Sequence, residues 1–369
     1  FDEVKLVAVD HPADVEVFSN EKVGSPQMAA HRIHTVKNRQ LPDSVVDGHG
    51  NDLLPGLKAV DQNYIQAFRG RRMQGLTDEW TMEFNLQSIL AQNSPVKNMR
   101  LVLIGWVFPT DTSLNQAILQ NPDLDPPSPP SLEVLQADGQ WKTAMPFLGF
   151  PSGKTKAMVI DLAEVLPLAS DRIRIRSSME LYWDAAFFIV NEDDAETKPM
   201  DCRLVGADLH YRGFSQRTYA DTSVFRNGRA PEGYDYSNVI TEPRWSEMAG
   251  RFTRYGSVQE LLLSQDDQMI VMGPGDEATV EFQVPETPVP AGWKRDFILY
   301  NVGWDKDANL ATVYGQSSEP YPFKEMGQYP GTPDQMGPTT PEYLNYLKTY
   351  QTREYPRFQF RDAVRLHVQ

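Results

Sequence analysis

The stretch RIRIRSSMELYWDAAFFIV (172–190) changes character half-way along. From Arg172 to Arg176 arginine and isoleucine alternate strictly. In a strand, successive side chains point to opposite faces, so Ile173 and Ile175 share a core face and three guanidinium groups share the other. That is the pattern of a half-buried antiparallel strand. From Glu180 to Val190 the run is apolar and aromatic, a strand whose Trp183 is expected in the core. Thr279–Val284 repeats the alternation with acidic rather than basic outward positions.

Working outward, the same short, β-branched or aromatic runs bounded by Gly, Pro, Asn or Asp recur along the chain. They predict strands at Val4–Val9, Trp80–Leu86, Met99–Val107, Ser131–Gln136, Met158–Leu162, Cys202–Tyr211, Gln268–Met272, Ala278–Val284 and Arg295–Val302. Helical spacing is scarce, with candidates at Val60–Phe68, Val258–Leu263 and Pro341–Tyr350, the last with Pro341 suited to a first turn. NPDLDPPSPPS (121–131) and VPETPVPAG (284–292) fix backbone angles and forbid ladder pairing, as stiff surface loops do. The expected fold is all-β: an antiparallel, jelly-roll-like β-sandwich core, as one or two sandwiches, with few short helices and long Pro-rich loops. Residues 1–72 are expected to be an extension with one strand and loops, 73–200 a sandwich, and 201–310 a second β region completing or packing on it. Residues 311–369, rich in Pro, Gly, Tyr and Gln, are expected to form an extended arm ending in a short helix and a strand-like Phe358–Val368.

The chain of 369 residues carries 35 Lys+Arg against 50 Asp+Glu, a net charge of −15. Phosphate binding needs a basic face, and no basic run exceeds Arg71-Arg72, so no nucleic-acid partner is expected. The apolar runs LVLIGWVF (101–108) and AAFFIV (185–190) fall far short of the ~20 residues that span a bilayer, so no transmembrane segment is expected. One cysteine, Cys202, leaves no intrachain disulfide and no thiolate cluster, and reads as a buried strand residue. The chain opens at Phe1 without a signal-peptide pattern, which reads as part of a longer or processed product.

Several motifs resemble chemistry and stop short of it. Asp305, Asp307 and Asn309 place oxygen ligands at alternate positions as a calcium loop does, but Leu310 replaces the required Gly and Gln316 the bidentate Glu. The EF-hand reading fails, and an irregular calcium site remains the one cofactor candidate. His31 and His34 lie on opposite faces of an extended segment, so they form no chelate. GFPSGKT (149–155) has three residues between its glycines where a phosphate loop has four, and a strand rather than a helix follows. No nucleophile elbow appears, and Asp193-Asp194 sits in a polar turn, so no catalytic residue is assigned. Of seven Trp, Trp293 and Trp304, each beside Gly and flanking one strand, are the candidates for exposed ligand-binding rings.

LVAVDHPADVEVFSNEK (6–22), GFPSGKTKAMVIDL (149–162), RIRIRSSMELYWDAAFF (172–188), RYGSVQELL (254–262), DDQMIVMGPGDE (266–277) and GWKRDFILYNVGWDKDANL (292–310) occur in that order. Together they resemble the C-terminal region of bacterial FG-GAP/VCBS-repeat proteins of the ASPIC/UnbV type, relatives of the cartilage acidic protein group. The resemblance covers most of 4–325 and implies an exported protein. It supplies no reaction and no catalytic residues to carry over. The Asp-rich calcium loops of the family's propeller repeats are not in this chain, so calcium binding by that route is not implied.

The expectation for function is a non-catalytic, extracytoplasmic (periplasmic or cell-surface) binding and scaffold subunit. Its partners are other proteins of a larger assembly, met through 311–369 and the Pro-rich loops, and the chain fits an accessory of a membrane redox or photosynthetic complex. In such a complex it would be structural, having no haem, iron–sulfur or copper motif. The alternative is a carbohydrate-binding module using exposed Trp, with or without calcium. A hydrolase with dispersed carboxylates would need two acids within about 5–10 Å in a cleft.

Overall fold

Strands take up 45% of the computed structural model and helices 12%, in several antiparallel sheets, and the fold is all-β and sandwich-like. The structure describes residues 1–24, 32–219, 232–241, 248–306, 308–309, 312, 314–332 and 337–355. They fall into two compact units, one built on 11–196 and the other on 1–10 together with the chain after 197.

In the 11–196 unit, one sheet runs Trp141–Met145, Ser131–Leu135, Arg172–Met179, Leu76–Asn85, Ser44–Asp47, with Arg71–Met73 also on Leu76–Asn85. A second holds Lys156–Asp161, Met99–Val107 and Leu181–Val190. The alternation at 172–176 does what its period requires. Ile173 and Ile175 are fully buried, while Arg172, Arg174 and Arg176 reach Glu83, Glu133 and Glu79 across the polar face. Leu181–Val190 is buried at every position because both of its faces are covered. On one face Ala185, Phe187 and Ile189 cluster with Val102, Ile104, Val159 and Val36. On the other, Phe188 meets Phe84 of the larger sheet edge-on, 6.0 Å between centroids. Each fully buried Phe contributes roughly 1.5–3 kcal/mol.

This strand also carries a bulge between Trp183 and Ala185, opposite Gly105. A Cβ on Gly105 would stand 2.4 Å from Trp183 Cε3, so glycine is what lets the indole lie on the neighbouring backbone. The bulged Asp184 is fully buried, and its Oδ1 accepts from the backbone N–H groups of Asp61 and Gln62.

In the other unit, the main sheet runs Gly256–Ser257, Lys198–Tyr211, Glu3–Pro12, Trp293–Val302, with Asp276–Gln283 also on Lys198–Tyr211. Phe214–Tyr219 pairs with Glu232–Ile240, and Gly250–Phe252 with Arg353–Tyr355. Cys202 is buried on its strand with a free thiol. Helix Pro341–Tyr350, capped by Thr340 Oγ1 accepting from Tyr343 N, buries Tyr343 and Tyr346 against Leu204, Leu209, Val258 and Ile270. No described helix is long and apolar enough to cross a membrane.

Several expectations need correction. Residues 1–72 hold not one strand but five complete ones and the start of a sixth, because two- to four-residue strands such as Lys22–Val23 and Ser44–Asp47 are too short to show alternation. Val60–Phe68 is not a helix. Gln62 takes a left-handed φ of 66°, held by Asp184, and Ile65 bridges Trp183 in extended form. Val258–Leu263 gives only a short 3-10 turn, Gln259–Leu262. Gln268–Met272 is extended but joins no ladder, for Val271 N donates to Thr253 Oγ1 and Ile270 N to the Phe1 carbonyl. The described end of the C-terminal segment is not a free arm, since its helix is packed into the unit's own core. Phe358–Val368 lies outside the described residues.

Candidate functional site

The backbone at 268–272, bonded to Phe1 and Thr253 instead of lying in a sheet, floors a groove in the second unit. Met269 O is pinned from below by Tyr346 OH at 2.7 Å and Gln351 Nε2 at 3.0 Å, and Tyr346 OH itself accepts from Gln351. Phe1 is laid alongside, its carbonyl holding Ile270 N and its neighbour Asp2 N bonded to Val302 O. A Cβ on Gly303 would stand 3.0 Å from the Phe1 ring, so glycine there gives the ring room beside Trp304. The opposite wall comes from Ser318–Tyr329, with Tyr321 OH donating to Arg251 O and Lys324 N to Asp267 Oδ1.

Two cavities of about 460 and 400 Å³ result. Because they share Phe1, Met269, Gly303, Trp304 and Pro322, they form one groove. Their sizes fall within the few hundred to about 1,000 Å³ usual for ligand sites. The first is lined mainly by methionines and aromatics, among them Met248, Met272, Phe252 and Tyr321, with Lys306 at its wall. The second adds polar groups, including Asp2, Asp267, Gln265 and Lys324.

Trp304 stands at the junction, 52% exposed, its ring 4.9 Å from that of Tyr329. Lys306 Nζ donates to Tyr329 OH and, at 3.4 Å, to Glu319 O, and lies 5.0 Å from the Tyr329 ring centroid. Desolvation pushes this ammonium down to about 8, with the Glu319 carboxylate pulling the other way. Burial likewise raises the Tyr321 phenol. Flexible thioethers beside aromatic rings make a surface that adapts to apolar groups, and the few polar atoms orient what enters.

Of the residues singled out from sequence, Trp304 and Asp305 are brought into this groove and Trp293 is not. Trp293 begins the ten-residue strand that ends two residues before Trp304, so the two stand ~30 Å apart at about 3.3 Å per residue. Trp293 is half-buried under Lys198, whose Nζ lies 4.8 Å from the ring. Asp305 and Asn309 are described and Asp307 is not, and among the described residues no three His, Cys, Asp or Glu side chains converge as metal ligands would. His34 sits on an extended strand beside Arg100, while His31 lies outside the described residues. Sequence reasoning missed Lys306, Tyr329, Met269 and Phe1, which come from separate stretches of chain with no motif in common.

Fold and groove together describe an antiparallel β-rich protein with an open groove lined by aromatics and methionines. Compared with known proteins, the chain matches no family model, no curated protein and no solved structure.

Proposed function

We propose that this chain is a non-catalytic binding and scaffold subunit working outside the cytoplasm, and that it holds a partner protein through the Trp304 groove. The observation that carries the reading is the half-exposed indole of Trp304 at the junction of two apolar cavities. A large aromatic beside a desolvated pocket is where binding energy concentrates in protein interfaces. The segment 311–369, expected to meet partners, contributes the wall at 318–329, and the exposed Pro-rich loop at 284–292 offers further contact. Export is the part of this reading that the ordered sequence blocks and their family resemblance support.

The test is gentle native purification, with mass spectrometry of what co-elutes through size exclusion. Co-elution with defined membrane or periplasmic proteins, lost in Trp304→Ala while strand circular dichroism is kept, is the expected result. A wild-type protein that elutes as a clean monomer overturns the scaffold reading. A second reading, carbohydrate binding with or without calcium, is favoured by the same exposed ring, since flat aromatics stack on sugars. Glycan arrays run with and without calcium test it directly.

A further inference from the structure

Lys306 is a cation at the wall of a largely apolar cavity, and no ion pair is formed by its ammonium among the described residues. Glu319, whose main chain lies beside it, gives its carboxylate to Arg251, accepting from Nε at 2.9 Å and Nη2 at 2.6 Å. Only the Glu319 main-chain carbonyl is left for Lys306. Two of the three ammonium protons therefore go to neutral oxygens, Tyr329 OH and Glu319 O, and among the described residues nothing accepts the third. Asp305, next in sequence, lines the same cavity but is exposed to solvent, and it forms no ion pair with this amine. A half-buried charge surrounded by Met, Phe and Trp side chains is costly unless paired.

We propose that the partner segment docked in the groove presents an acidic side chain next to a large apolar one, and that Lys306 receives the carboxylate. This rests on the groove being the docking site. Charge sets the polarity of the occupant: in the first cavity the exposed Asp305 is matched by Lys306, whereas the adjoining one sets Asp2 and Asp267 against the single cation Lys324 and is the less favourable end for an acid. The apolar side chain lies across Trp304, and the carboxylate sits at the Lys306 end. An ammonium–carboxylate hydrogen bond formed in a desolvated pocket is about twice as strong as a neutral one, so Lys306 is a specificity-determining residue.

The experiment uses the full chain and two capped peptides of one length, acetyl-Leu-Phe-Glu-amide and acetyl-Leu-Phe-Gln-amide, titrated by calorimetry and NMR. The Glu peptide is expected to bind about tenfold tighter than the Gln peptide. Lys306→Gln should abolish that ratio, whatever it does to the affinity common to both peptides, and Lys306→Arg should keep the ratio. Trp304→Ala should weaken both peptides alike. Equal binding of the two peptides by the wild-type chain overturns the role of Lys306 and leaves the groove reading standing. Failure of both peptides to bind overturns the groove reading together with it.

Discussion

Replacing Glu180 by Gln is expected to destabilise the 11–196 unit more than any exposed ion-pair variant of the same unit. Glu180 is fully buried, and its carboxylate accepts from Arg71 Nε at 2.8 Å, from Arg71 Nη2, from Tyr182 OH at 2.6 Å and from Gly75 N at 3.1 Å. Every acceptor site faces a donor, and burial with this contact holds the Tyr182 phenol well above its ordinary value. A Gln amide of nearly the same shape turns two of those sites into donors facing donors and leaves Arg71, 19% exposed at its side chain, without a counter-charge. Breaking a buried pair in this way costs about 3–5 kcal/mol. The face of Phe108, 4.7 Å from the Arg71 guanidinium, is already engaged in the wild type and so offsets none of this loss. Urea unfolding followed by near-ultraviolet circular dichroism reads the change as a lower midpoint at unchanged slope. The double variant Arg71→Met, Glu180→Leu removes both charges but leaves Tyr182 OH and Gly75 N without this acceptor, so it should recover only part of the loss. A loss below about 1 kcal/mol in Glu180→Gln, or a double variant worse than the single one, refutes the account.

Two other substitutions probe the bulge in the same unit. Gly105→Ala puts a methyl 2.4 Å from Trp183 Cε3 and 2.6 Å from Tyr182 O, and should cost about 2–3 kcal/mol in a urea titration, since neither the indole nor the backbone can give way cheaply. Asp184→Asn should stabilise by about 1 kcal/mol at pH 7. Burial raises the Asp184 carboxyl above its ordinary value, against the opposing hydrogen bonds from Asp61 and Gln62. The folded state therefore carries an unfavourable charge at neutral pH and is relieved of it as pH falls through the raised folded value. Thermal melts of wild type and variant should converge below the ordinary carboxylate range, and a gain that persists there contradicts the assignment.

The strands of the sandwich were legible where the signal was local. The alternation Arg172–Arg176 needs only the period of a strand to be read, and the unbroken apolar run at 185–190 marks a strand covered on both faces. Misreadings fall where a distant group decides the backbone. Met269–Met272 looks like a strand by composition, yet its hydrogen bonds go to Phe1, Thr253, Tyr346 and Gln351, none of which is near in sequence. Val60–Phe68 has helical spacing but is bent around a carboxylate more than a hundred residues away. Within the groove Trp304 and Asp305 could be named beforehand, Trp304 as a candidate ring because a Trp following Gly at a strand end has little to cover it, and Asp305 for a calcium loop rather than for the groove. Lys306 gave no sign, since its importance lies in what Glu319 does with its carboxylate.

The groove combines a firm floor with a wall that is well anchored at 318–321, through Ala249 and Arg251, and held at fewer points over 322–329, and this difference bears on what can bind. The floor is the 269–271 backbone, fixed by Tyr346 and Gln351 from the core helix and by Thr253. Tyr346 is itself fully buried, so the floor moves only if the core does. The wall at 318–329 is a loop without regular structure after Gln316, fastened through Tyr321 OH, Lys324 N and the Tyr329 OH bond to Pro320 O. A loop so held can shift by a rotamer or a small hinge without breaking the sheet beneath it. Tyr329 belongs to this wall and holds both Trp304 and Lys306, so wall movement changes the apolar contact and the charge contact together. A partner that fits both should therefore order the wall, and amide protection around 320–329 should rise only for peptides that engage Trp304 and Lys306 at once.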